Sequence, residues 1–259
     1  MKGKRATACA SSSFCRMDIN LLPNERIDDL QFKNLRIIQH ETAFRFGMDS
    51  VLLADFAAPR PNDRVMDLGT GSGILPLLLY MREPSCRYHG VEIDKEALYR
   101  AQRTLLLNDI GEDRIALFHG DIRKIGASFA ANSMDLVVCN PPYHIAPGGE
   151  VKNGGARMEK TCTLQDVCYA ARFLLINRGR FCMVYPAVRL QEVCLTLAQN
   201  GLSLKRLRFI HHESRRPPKL MLLEAYMGAK MGETQVLPPL VIKENGEDSE
   251  EIRRIYHMD

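Results

Sequence analysis

The sequence predicts an α/β fold built on a doubly wound parallel sheet. From Arg64 onward, short β-branched or apolar runs alternate with longer segments of helical period, the first run leads into a glycine-rich turn, and the second ends on a carboxylate, Glu92. The first strand candidate, Arg64–Met66, precedes Asp67-Leu68-Gly69-Thr70-Gly71-Ser72-Gly73, and helical period follows over Ser72–Met81. Tyr88–Glu92 is the second strand and Lys95–Asn108 the next helix. Ile115–His119 and Leu136–Cys139 supply the third and fourth strands, bounded by Gly and Asn-Pro turn signals. The helix Thr163–Ile176, the strand Phe181–Tyr185 and the helix Ala187–Gln199 continue the alternation, which closes on two strands, Leu204–Ile210 and Leu220–Tyr226.

Composition narrows the class without naming a function. Hydrophobic residues at 46% and charged residues at 25% exclude disordered, collagen-like and coiled-coil chains. Eight cysteines are scattered without a C-x-x-C pair or a neighbouring His at metal-ligand spacing, so they read as reduced thiols and no metal site is expected. The longest apolar stretch, Ile74–Met81, is far short of the roughly 18 residues of a membrane span. The N-terminal basic residues are followed by a Ser-rich stretch with no signal-peptide core, so a cytoplasmic protein is expected. Residues 1–16 read as a disordered basic tail, and 17–259 as a single domain with an N-terminal adjunct over about 17–60. Glycine-rich Pro147–Gly155 reads as a functional loop at a carboxyl strand end. The acidic run Glu244–Glu251 reads as a solvated connection before a last short helix.

The three alternate glycines of the first turn let the backbone bend sharply and approach a ligand, while the helix that follows offers unpaired N–H donors. A dinucleotide fingerprint would need glycine where Ile74 stands, and the P-loop lysine is missing. Glu92, nineteen residues after Gly73, is placed to accept hydrogen bonds from both hydroxyls of a ribose, so loop and acid together suggest an adenosine ligand. Asp121, after the third strand, is a candidate acceptor for an adenine amino group, or alternatively an N-cap of the following turn.

The fourth strand runs directly into Asn140-Pro141-Pro142-Tyr143. Two prolines fix φ and remove two donors, so the segment leaves the sheet and its carbonyls are free to face a pocket. Asn140 adds a side-chain acceptor and Tyr143 a flat face for a planar group. An amino group held between two such acceptors has its lone pair directed out of plane, which suits attack on an electrophilic methyl.

Asp67 to Gly73, Glu92, Asp121 and Asn140 to Tyr143 resemble the motifs of class I S-adenosylmethionine-dependent methyltransferases of the N6-adenine and N5-glutamine group. Phe44-Arg45-Phe46-Gly47-Met48-Asp49-Ser50-Val51-Leu52-Leu53, Ala156-Arg157-Met158-Glu159 and Pro218-Lys219-Leu220-Met221-Leu222 are similar, more narrowly, to the tRNA1(Val) adenine-N6 methyltransferase family, whose target is the adenine 3′ of the anticodon. The resemblance implies a Rossmann-like sheet of seven strands in the order 3-2-1-4-5-7-6, the last antiparallel, with helices on both faces. It implies S-adenosyl-L-methionine as cofactor, S-adenosyl-L-homocysteine as product and tRNA as partner. Gly69, Gly71 and Gly73 would meet the methionine end of the cofactor, with Asp67 beside them, Glu92 the ribose and Asp121 the adenine. Phe46 and Asp49 would shape the same pocket, and Asn140, Pro141, Pro142 and Tyr143 would hold the target base, Asn140 touching the cofactor as well.

An N5-glutamine protein methyltransferase would use the same amide geometry but is expected to carry a sizeable helical domain ahead of the glycine loop. Ribosomal RNA or DNA adenine, or a silent RNA-binding module, are further alternatives. The formal net charge of +4 conceals two basic segments: Lys2, Lys4, Arg5 and Arg16 in the tail, and Lys205, Arg206, Arg208, Arg215, Arg216 and Lys219 against Glu213 alone. The second segment, with Arg157, is the candidate contact to RNA phosphates.

Overall fold

The computed structural model describes residues 20–30, 34–41, 47–141 and 162–256. A two-stranded antiparallel hairpin, β1 (Glu25–Asp29) and β2 (Arg36–His40), precedes helix α1 (Met48–Ala57). Strand β3 (Arg64–Leu68), helix α2 (Ile74–Arg82), β4 (Arg87–Glu92), α3 (Lys95–Leu107), β5 (Ile115–His119) and β6 (Met134–Cys139) follow. Then come α4 (Leu164–Leu174), β7 (Leu175–Pro186), α5 (Leu190–Gln199), β8 (Leu202–Glu213) and β9 (Leu220–Met227). The chain closes with β10 (Gln235–Val236), β11 (Leu240–Glu244), β12 (Glu247–Asp248) and α6 (Glu250–Tyr256).

The central sheet runs β12-β11-β8-β9-β7-β6-β3-β4-β5, with β10 also on β8. From β5 to β8 this is the expected seven-strand order, and β9 is antiparallel to both of its neighbours. Beyond these seven, β10, β11 and β12 extend the sheet to ten by covering the edge of β8, which would otherwise expose unpaired N–H and C=O groups. The acidic run is likewise more than a connection. Asn245 and Gly246 both take positive φ, 53° and 89°, and close a two-residue hairpin between β11 and β12.

Strand alternation builds a core on each face. In β6, Leu136 and Val138 face α1, α2 and α6, while Val137 and Cys139 face α4 and α5, and β7 divides Cys182 and Val184 from Phe181, Met183 and Tyr185 in the same way. Each fully buried Leu or Phe contributes roughly 1.5–3 kcal/mol. Helix α4 starts at a capping box between Thr163 and Asp166 and stops at Leu174, two residues before the expected end, because Leu175 is already extended and opens β7.

Two ion networks fix the parts that flank the site. Glu25 of β1, its side chain only 2% exposed, accepts from Arg103 of α3 at 2.8 and 3.0 Å, and the Ile38 amide of β2 donates to Thr104 at 3.1 Å, so the hairpin is docked on α3. Arg180 of β7 donates to the carbonyls of Ala57 and Ala58, closing the C-terminus of α1, and pairs with Asp63 and with buried Glu224 of β9. Because β3, β4, β5, β6 and β7 are parallel, their carboxyl ends share one edge. The β8–β9 turn reaches that edge too, since Leu220 pairs with both Pro186 and Ile210.

Candidate active site

At the carboxyl edge the chain leaves β3 through the glycine loop. The amides of Gly69 and Thr70 both donate to the Val91 carbonyl of β4 at 3.0 Å, and the Gly71 amide donates to Glu92 Oε2 at 2.9 Å. Gly71 and Gly73 hold φ of 55° and 78°, a backbone that other residues adopt only under strain. A Cβ at Gly69 or Gly71 would meet nothing within 4 Å, so the loop faces open space there, whereas one at Gly73 would lie 3.1 Å from the Ala101 Cβ of α3. Gly73 therefore serves helix packing as well as the turn. Sequence reasoning missed Gly90, where a Cβ would lie 2.8 Å from the Thr70 hydroxyl; the loop can close on β4 only because that side chain is absent.

Glu92 accepts from three backbone amides, those of Gly71, Ile93 and Asp94, each at 2.9 Å, and is 6% exposed. A carboxylate has about four lone-pair directions, so one remains for a ligand hydroxyl. Asp67 is 3% exposed, and burial, reinforced by the nearby Glu92 charge, pushes its carboxyl up to about 7. Asp121 caps the 3-10 helix Ile122–Ala127 through the Arg123 amide at 2.9 Å and pairs with the Arg123 guanidinium, which holds its carboxyl below the usual carboxylate range. The cap role weighed for it in the sequence is thus present, and its carboxylate still lies at the edge beyond β5.

Asn140 follows β6, the immediate neighbour of β3, so the chain leaves the sheet there one strand spacing, about 4.8 Å, from the strand that opens the glycine loop. Cys139 Sγ donates to the Leu68 carbonyl at 3.1 Å, and burial pushes this thiol well above its ordinary value, consistent with an inert packing role. The Asn140 Nδ2 donates to Ser50 Oγ of α1 at 3.0 Å. Asp49 lies in the first turn of the same helix, near Tyr256 of α6, whose phenol burial pushes up to about 12 with the Asp49 charge assisting. Beside Pro141 a cavity of about 310 Å³ opens, lined in part by Thr163, Tyr185, Arg189 and Glu192. Phe46, Pro142, Tyr143 and Arg157 lie outside the described residues.

The basic segment divides. Arg206 pairs with buried Glu224 at 3.0 Å and lies over the Phe56 ring, Arg208 makes a two-point contact with Glu251 at 2.7 and 2.8 Å, and Lys205 donates to the carbonyls of Lys230 and Gly232. These three side chains each have a partner within the protein. Their charges read as one run in sequence, but strand period turns Arg206 and Arg208 toward the α1 and α6 face. Arg215, Arg216 and Lys219 sit instead on the β8–β9 turn at the carboxyl edge, exposed apart from a surface pair between Arg216 and Glu213 at 3.3 Å.

Among the described residues no helix is long and apolar enough to cross a membrane. The model of the methyltransferase small domain family matches residues 37–189. A tRNA1(Val) (adenine(37)-N6)-methyltransferase from Porphyromonas gingivalis is 31% identical over 205 residues, covering 76% of this chain and 80% of that protein. One of the same name from Proteus mirabilis is 29% identical over 220 residues, covering 83% and 86%. A structure described as a predicted O-methyltransferase from Agrobacterium tumefaciens superposes with a TM-score of 0.68 at 20% identity, over 81% of this chain and 96% of that one, and speaks for the fold alone. With a family model spanning more than half its length, and relatives of that identity and coverage, the chain belongs to the methyltransferase small domain family and, within it, to the tRNA1(Val) (adenine(37)-N6)-methyltransferases.

Proposed function

We propose that this protein transfers a methyl group from S-adenosyl-L-methionine to the exocyclic N6 of an adenine in tRNA, the adenine 3′ of the anticodon in tRNA1(Val). The observation that supports the reading is that Asn140 follows the strand next to an open glycine cradle, a cradle tied through Gly71 to Glu92 at the end of β4. The names of the relatives supply the substrate class.

The residues fit the cofactor. Open space beside Gly69 and Gly71, the remaining acceptor direction of Glu92 and the buried acid Asp67 match a ribose and a cationic amino-acid end, and Asp121 is at hand for the adenine. When bound, the cofactor supplies a methyl on a sulfonium sulfur, which keeps the bonding pair and leaves as S-adenosyl-L-homocysteine. Asn140 Oδ1 and the Pro141 carbonyl accept the two N–H groups of the target amine, aim its lone pair and stabilise the positive charge that develops on nitrogen. The surplus proton passes to water, because a methylated ammonium nitrogen is acidic enough to need no strong base. Turning the adenine out of its stack costs a few kcal/mol, and the ring of Tyr143 is the candidate face to offset it.

The test is transfer of labelled methyl to tRNA followed by nucleoside mass spectrometry. N6-methyladenosine next to the anticodon is expected with the wild type. Asn140→Ala should lose at least about 100-fold in turnover while cofactor affinity changes little. Full activity in that variant would remove the mechanism, and label in protein or ribosomal RNA would replace the substrate.

A further inference from the structure

An asparagine amide is nearly symmetric in shape but opposite in hydrogen-bonding sense at its two ends. If Asn140 is to receive an amino group, which has only N–H hydrogens to offer in its plane, Oδ1 must face the substrate and Nδ2 must be held away. A rotation of 180° would set one NH2 against another and lose the site. Among the described residues the hydrogen bond that Asn140 makes is from Nδ2 to Ser50 Oγ, 3.0 Å away and 90 residues earlier in the chain. Ser50 is 2% exposed, so water does not compete for that hydroxyl. It stands on a helix whose far end is clamped by buried Arg180 through the Ala57 and Ala58 carbonyls.

We propose that Ser50 is a positioning residue for methyl transfer: its buried hydroxyl accepts from Asn140 Nδ2 and so holds the side-chain amide in place, with Oδ1 left for the acceptor amine. This rests on the reading that Asn140 receives that amine. Ser50 is not a catalytic residue, since it touches neither substrate nor reacting atoms, and its effect passes wholly through Asn140. Removing the hydroxyl leaves Asn140 in place but free to turn, so part of the population presents the wrong end.

The measurement is steady-state kinetics on tRNA with Ser50→Ala, alongside cofactor affinity and melting temperature. A fall in kcat on the order of 10- to 100-fold is expected, with KM for tRNA, cofactor affinity and melting temperature close to wild type. Ser50→Thr, which keeps the hydroxyl, should recover most of the loss, and in an Asn140→Ala background Ser50→Ala should cost nothing more. Unchanged kcat in Ser50→Ala overturns the proposal, as does a loss that tracks cofactor affinity or melting temperature. A readout without substrate separates this from the functional reading: the side-chain amide resonances of Asn140, assigned with Asn140→Asp, should show a single state in wild type and averaging in Ser50→Ala. A wild type that methylates no RNA yet shows that coupling overturns the substrate alone. An active wild type whose Asn140 resonances ignore Ser50 overturns the positioning role.

Discussion

The carboxylate of Glu92 accepts the amide of Gly71 at 2.9 Å, so the acid at the end of β4 and the loop after β3 form one unit before any ligand arrives. Sequence spacing makes Glu92 the candidate acceptor for a ribose; the structure shows that it holds the cradle shut through three backbone donors. Glu92→Gln keeps the shape but sets an NH2 group against at least one of those donors. An unsatisfied buried amide costs about 1–3 kcal/mol. Thermal unfolding of the ligand-free variant should therefore show a loss of that order, and titration calorimetry a weakening of cofactor affinity by 10-fold or more. Wild-type affinity in a destabilised variant would leave Glu92 a structural role only.

Burial holds Asp67 near 7, well above an unfolded aspartate at about 3.9. The folded state then binds a proton the unfolded state has released, so this group's contribution makes the ligand-free protein less stable as pH rises from about 4 to about 7, and flat above. Asp67→Asn should remove that slope from a pH series of denaturation midpoints. A cationic amino-acid end of the cofactor favours the ionised acid, so cofactor affinity should rise through pH 7 in wild type and not in Asp67→Asn. Equal affinity at pH 6 and pH 8 would detach Asp67 from the cofactor.

What was legible in the sequence is what depends on neighbours along the chain. Gly69 to Gly73 and Asn140-Pro141 carry their backbone restrictions in consecutive residues, and the place of Glu92 at the end of the second strand follows from the strand pattern. Ser50 was not legible, because its partner lies on a different element and serine on an apolar helix has no signature of its own. The acidic partners of Arg206 and Arg208 were hidden for a related reason: a charge count has no face, whereas a strand has two, and these residues share theirs with Ile210. The β11–β12 hairpin, by contrast, was announced by Asn245-Gly246 and passed over because the flanking acids suggested solvent.

The docking of the N-terminal hairpin gives a test with a local readout. Burial alone would raise Glu25, yet the Leu22 amide and the Arg103 guanidinium together hold its carboxyl below the usual range. A lowered carboxyl contributes stability that is present above the unfolded value, about 4.3, and is lost as pH falls through the folded one. Glu25→Gln leaves Arg103 buried without its charge partner, a change that costs about 3 kcal/mol where pairs are fully enclosed. Hydrogen exchange should register it first at Ile38, whose amide donates to Thr104, while amides of β3 and β6 keep their protection. Uniform loss across the sheet would mean that the hairpin and the core unfold together.

The division of the basic segment predicts two phenotypes from chemically similar substitutions. Arg215 and Lys219 lie on the turn at the carboxyl edge that also carries Asn140, and each phosphate contact they make would release counterions on binding. Arg215→Ser with Lys219→Ser should weaken tRNA affinity and lower the slope of log affinity against log salt by about 0.7–0.9 per lost contact, with the melting temperature unchanged. Arg206→Ser should do the reverse. It leaves Glu224, 1% exposed, with Arg180 as its remaining cation and uncovers the Phe56 ring, so stability falls while the salt slope of tRNA binding stays near wild type. Binding isotherms at several potassium chloride concentrations, with melting curves on the same samples, separate the two. An unaltered salt slope in the Arg215/Lys219 double variant would take the turn out of the RNA interface.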